Sequence, residues 1–86
     1  MIWNEVKKAY PSQWVLIEAI DATTEGENRI VKELSIIDTF EDDSKKAMDR
    51  YVELHKLHKE REYYVVHTQR SELDIKVLKW SGVRPG

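Results

Sequence analysis

The segment from Asp38 to Thr68 sets the strongest limit on the fold. DTFEDDSKKAMDRYVELHKLHK carries apolar residues at helical spacing, and it runs directly into EYYVVHT, which is aromatic and β-branched. A helix that passes into a strand through so short a link buries its apolar stripe against a sheet. The pattern predicts a helix from about Glu41 to Lys59. At 100° per residue Ala47, Met48, Tyr51, Leu54, His55 and His58 share one side, with Lys45, Lys46, Asp49, Arg50, Glu53 and Lys56 opposite. Leu57 lies off the stripe. Thr39 or Asp42 is the expected N-cap, with Glu41, Asp42 and Asp43 at the positive end of the helix dipole and Lys56 and Lys59 at the negative end. In the next strand, Tyr64, Val66 and Thr68 share one face and Tyr63, Val65 and His67 the other.

Upstream, Trp14 to Ala22 (WVLIEAIDA) is a strand apolar on both faces. Trp14, Leu16 and Ile20 point one way; Val15, Ile17 and Ala19 point the other. Such a strand is central in its sheet and needs cover on each side. Thr23 to Asn28 holds turn formers, with Gly26 able to take positive φ. Arg29 to Asp38 returns as a second, antiparallel strand with Ile30, Leu34 and Ile36 on one face. Ile2 to Ala9 is a short helix with Trp3, Val6 and Tyr10 on one edge, stopped by Pro11. Asp74 to Trp80 forms a fourth strand with Ile75 and Val77 facing inward, and residues 81–86 form a flexible tail. The fold class is α+β in the order α-β-β-α-β-β: one small, mostly antiparallel sheet with the long helix on one face. Residues 1–80 make a single domain.

The chain has 86 residues, of which 41% are hydrophobic and 35% charged, with a net charge of −2. That balance suits one compact core under a well-solvated surface. Lys7, Lys8, Arg29, Lys45, Lys46, Lys56, Lys59 and Arg61 are interleaved with acids, which argues against a dedicated nucleic-acid binder. There is no cysteine, so disulfides and thiolate metal sites are excluded. No apolar run approaches the roughly 20 residues that cross a bilayer. Cytoplasmic residence is the expectation.

The stretch YPSQWVLIEAI resembles a set of small bacterial and archaeal proteins of unknown function. They share a short helix, a YP-x-x-WV entry into a hairpin, then a helix and a further strand. The matching residues are Tyr10, Pro11, Trp14 and Val15, followed by the hairpin, the helix and Tyr64, Val65 and Val66. The resemblance covers about residues 2–68. It implies the fold, and no catalytic residue comes with it.

His55 and His58 are three apart on a helix, so both rings can approach one metal ion, with His67 as a third ligand; three protein ligands and a water are a catalytic zinc arrangement. No Glu stands between them in an HExxH pattern. The plainer reading is a half-buried pair at the helix end, favourable to its dipole when charged. Glu18, Asp21 and Asp38 are carboxylates on or beside strands, capable of acid–base work only if burial shifts a pKa. Trp3, Tyr10, Trp14, Tyr63 and Trp80 are candidates for an aromatic interaction surface, since aromatics are enriched at interfaces. There is no phosphate loop, nucleophile motif or nucleotide fingerprint. Two functional classes remain. The leading one is a non-enzymatic protein-interaction or regulatory module, without cofactor, that dimerises or docks a protein partner through a sheet edge or aromatic patch. The alternative is a metal-dependent or histidine-based enzyme using His55, His58 and His67.

Overall fold

The computed structural model describes residues 1–76. Val77, Leu78, Trp80 and the tail at 81–86 lie outside them, and so does the predicted domain limit at residue 80. The elements are α1 (Trp3–Ala9), β1 (Trp14–Glu25), β2 (Asn28–Thr39), α2 (Ser44–Leu57), β3 (Tyr63–His67) and β4 (Asp74–Lys76). The strands form one antiparallel sheet in the order β3-β1-β2-β4, so the fold is α+β with the expected element order.

β1 and β2 make a hairpin longer than the turn formers suggest. The loop narrows to Gly26 and Glu27, with Glu25 opposite Asn28. Gly26 takes φ +63°, the positive value that the first central position of a II′ turn requires. Thr23, Thr24 and Glu25 therefore belong to the strand.

β1 is central and both of its faces are covered. Val15 and Ile17 point to the side where α1 docks through Trp3 and Val6, joined by Val31, Leu34, Val66 and Leu73. Leu16 points to the other side, where α2 brings Leu54 and β3 brings Tyr63, with Phe40, Tyr51 and Val65 around them. Alternation along one strand thus feeds two separate cores.

The alternation does not run the full length of the hairpin. Ala19 opposes Leu34, Asp21 opposes Glu33 and Ala22 opposes Val31, so Ile20 and Lys32 have no register partner. These irregularities rotate the rest of each strand about its axis, as β-bulges do. Ile20, expected beside Trp14 and Leu16, is instead 54% exposed. Val31, rather than Ile30, joins Leu34 in the core.

α2 is 14 residues long, shorter at both ends than the pattern predicts. The cap is Asp43, whose carboxylate accepts from the Lys46 N–H at 2.9 Å, in place of Thr39 or Asp42. Residues 39–42 are held elsewhere: Trp14 N donates to Glu41 O at 2.7 Å and Phe40 N donates to Trp14 O at 2.9 Å. The buried stripe is also narrower than expected. Ala47 and Leu54 are buried and Tyr51 is half-buried, but Met48 and His55 are exposed.

α1 has only seven residues and is held from outside. The Trp3 indole N–H donates to Arg70 O at 2.8 Å, and Lys7 Nζ donates to Ser71 O at 2.9 Å. The segment after β3 therefore wraps back over the N-terminal helix. Gln13 and Thr68 fasten the same closure, through Thr68 N to Gln13 O at 2.9 Å and Gln13 N to the Thr68 hydroxyl at 3.0 Å.

Candidate functional site: the outer edge of β3 and the flank of α2

β3 lies at the edge of the sheet, and two hydrogen bonds fix which way its backbone faces. Ala19 N donates to Glu62 O at 2.8 Å, and Thr68 N donates to Gln13 O at 2.9 Å. In an antiparallel ladder the bonded residues alternate. Glu62, Tyr64, Val66 and Thr68 therefore turn their peptide groups to β1, and Tyr63, Val65 and His67 turn theirs outward. The His67 carbonyl is taken up by Arg70 N at 3.2 Å. Among the described residues no strand pairs with this outer side. The run YYVVH has high strand propensity and contains no Lys, no Pro and no register shift, the usual devices that blunt an edge.

Above this edge stands one flank of α2. Tyr51 and His55 stack, ring centroids 5.7 Å apart at 11°. They line an open depression with Lys59, Glu60, Arg61, Glu62, Tyr63 and Tyr64, which places this flank over β3 rather than over β2. Met48 and Val52 continue the same flank and are 46% and 44% exposed. Leu57, 67% exposed, lies on the opposite flank.

The three histidines are not brought together. His55 is in the Tyr51 stack. His58 closes the C-terminus of α2, its backbone N–H donating to Leu54 O, with Nδ1 3.9 Å from Glu60 Oε1. His67 lies at the far end of β3, edge-on to Trp14 at 5.1 Å. Its Nδ1 accepts from Gln69 N at 3.1 Å. β3 runs antiparallel to α2, so its first residue is next to the helix end and His67 is roughly 13 Å further along the strand. Among the described residues no cluster of three His, Cys, Asp or Glu can hold a metal ion.

The aromatic candidates divide in the same way. Trp3 and Tyr63 are buried, one in each core, and neither offers a surface. Tyr10 packs against the α1-side core, and Trp14 is half-buried against His67. Trp80 is outside the described residues. Of the carboxylates, Asp21 and Asp38 are exposed, and Glu18 meets Arg61 Nη1 at 3.4 Å.

One polar constellation has no counterpart among the residues that periodicity and motifs pick out. Arg29 grips Glu62 with two parallel bonds, Nε to Oε2 and Nη2 to Oε1, both 2.9 Å. Its third nitrogen, Nη1, donates to the Thr24 hydroxyl at 3.0 Å, and the Tyr64 hydroxyl donates to Glu62 Oε2. Hydrogen bonding to Arg29 holds the Glu62 carboxyl below its ordinary value. Burial, then the neighbouring carboxylate, pushes the Tyr64 phenol up to about 12. The charge of Arg29 is thus spent inside the protein, tying the tip of the hairpin to the start of β3. Arg29 and Glu62 stand 33 residues apart, and only the strand order brings them together.

No helix among the described residues is long and apolar enough to cross a membrane. Comparisons of the chain with protein-family models, with curated proteins and with solved structures find no match.

Proposed function

We propose that this chain is a non-enzymatic protein-interaction or regulatory module, resident in the cytoplasm, that takes a protein partner by strand addition along β3. The observation that carries the reading is the outer edge of β3. Tyr63, Val65 and His67 direct peptide groups outward beside exposed apolar side chains, in a run without charge or proline. Strand addition supplies main-chain bonds for affinity and alternate side chains for specificity. The polar groups with shifted ionisation, Glu62 and Tyr64, are committed to Arg29 and to each other, which suits a scaffold better than acid–base chemistry.

Val65→Pro tests this. It removes an outward N–H and blocks a neighbouring strand, whereas the ladder to β1 is left whole. A partner retained from cell extract by immobilised wild-type protein should be lost with Val65→Pro, while the circular dichroism spectrum stays unchanged. Equal retention by both proteins defeats strand addition at β3.

A further inference from the structure

Resting on that reading, we propose that the strand added to β3 is β3 of a second copy, antiparallel about a twofold axis at Val65, so that two sheets become one of eight strands. Three features of the edge favour a second copy over another protein.

The first is the hydrogen-bonding pattern. With Val65 opposite Val65 of the second copy, Tyr63 faces His67 and His67 faces Tyr63. All three are residues whose peptide groups turn outward; the Val65 groups and the His67 N–H meet free complements, and the His67 carbonyl, which already accepts from Arg70 N, takes the Tyr63 N–H as a second donor. On the α2 side Tyr63 and His67 then form a cross-strand aromatic pair, and on the α1 side Tyr64 lies opposite Val66.

The second feature is the position of α2. It packs over β3 and β1. An axis midway between these strands lies about 5 Å from the twofold, given a strand spacing of about 4.8 Å. The two copies of α2 then run antiparallel on the same sheet face about 10 Å apart, a normal helix-packing distance. The flank that meets its copy is the one with Met48 and Val52, at 46% and 44% exposure. Asp49 and Lys56 stand either side of Val52 on the outer surface of the helix. With Val52 opposite Val52, each Asp49, which also pairs with Lys45 of its own helix at 3.6 Å, comes within one residue of the opposing Lys56, so these charges do not oppose association.

The third is size. The strand is about 17 Å long and the helix about 21 Å, giving a footprint of roughly 20 Å by 20 Å and total burial near 1,000 Å². That is the lower limit for a specific interface, so the dimer is weak and reversible.

The absence of cysteine makes the test direct. Residues opposite each other at a bonded antiparallel position have Cα atoms about 5.5 Å apart, within disulfide range. Under mild oxidation Val65→Cys should therefore cross-link to a covalent dimer, roughly tenfold faster than His67→Cys alone, whose twofold mate lies at Tyr63. Light scattering across micromolar to millimolar concentrations should show the wild type passing from monomer to dimer. Val52→Lys, a surface change that leaves the fold intact, and Val65→Pro should each weaken the association at least roughly tenfold. A strict monomer at millimolar concentration overturns the proposal, as does a dimer indifferent to both substitutions. Amides of Tyr63, Val65 and His67 that resist hydrogen exchange in a monomer also overturn it, because the chain itself then covers the edge. If the wild type is monomeric and still retains a partner that Val65→Pro loses, the interaction module stands and only the second copy falls. If Val65→Pro loses nothing in either experiment, both fall.

Discussion

The two faces of the sheet are built unequally, and the inequality runs against helix length. α1 has 7 residues, yet its side holds eight buried residues in one cluster: Trp3, Val6, Val15, Ile17, Val31, Leu34, Val66 and Leu73. α2 has 14 residues, yet among the described residues the cluster on its side holds three, Leu16, Leu54 and Tyr63, with Ala47 buried apart from it. The short helix is only part of its cover, because the segment after β3 and the β2 side chains complete it. The longer of the two helices works almost alone, and its apolar surface is wider than the core beneath it. What remains, Met48 and Val52, is exposed. Stability therefore resides chiefly on the α1 side, and the α2 side keeps surface to spare for a partner.

Substitutions on the two sides should separate these roles. Ile17→Ala empties a fully buried position on the α1 side and should cost about 4 kcal/mol, a large part of the stability of so small a domain, read from urea unfolding. Leu54→Ala, at 9% exposure on the α2 side, should cost about 2 kcal/mol by the same measurement. Equal losses would show that the α2-side core is as tightly built as the other. Asp43→Ala removes the cap of α2 and should cost about 1 kcal/mol, or roughly 5 °C in Tm. Glu62→Gln should cost somewhat less than about 1 kcal/mol, because the pair with Arg29 is partly solvated.

The pH dependence of the Arg29–Glu62–Tyr64 group has a definite sign. The Glu62 carboxyl is held below its ordinary 4.5, so its contribution is complete above that value and is lost as the pH falls through the lower, folded one. The Tyr64 phenol is raised from 10.0 to about 12, so its contribution is complete below 10.0 and lost as the pH rises toward 12. The gap between the thermal unfolding curves of wild type and Glu62→Gln should be full above about pH 4.5 and shrink as the pH falls below it. A gap of the same size at every pH would mean that the group acts through packing rather than charge.

The layers and the β1–β2 pairing were legible because periodicity reports which face is buried; the places of β3 and β4 in the sheet were not. WVLI along β1 called for cover on both sides, and the structure supplies α1 on one and α2 on the other. The places where periodicity misled share a physical origin in tertiary contacts. Ile20 and Lys32 fall out of register; Lys32 interrupts the apolar face of Ile30, Leu34 and Ile36, but no local signal marks Ile20. Thr39 and Asp42 look like caps, but the backbone beside them is held by Trp14, and the helix waits for Asp43. Met48 belongs to the apolar stripe by angle, but β3 ends the sheet below it. His67 is a different case. A strand that leaves a helix through a short link and runs back along it carries its far end away from the helix terminus, so the separation from His55 and His58 came from chain direction alone.

The closure of α1 by the segment after β3 has a consequence for how the chain assembles. Trp3 to Arg70, Lys7 to Ser71 and Gln13 to Thr68 span 67, 64 and 55 residues. During synthesis α1 and then the β1–β2 hairpin leave the ribosome, and the hairpin can form at once, from neighbours in sequence. Its α1-side surface cannot close fully until residues near 70 emerge: Met1 and Leu34 can exchange backbone bonds before then, but the anchors of Trp3 and Lys7 come late. At about 5–20 residues per second that interval lasts several seconds. Throughout it Val15, Ile17, Val31 and Leu34 lack the late-arriving part of their cover. The nascent hairpin is thus the species that chaperones would meet, and its vulnerability is set by chain order rather than by the stability of the finished fold.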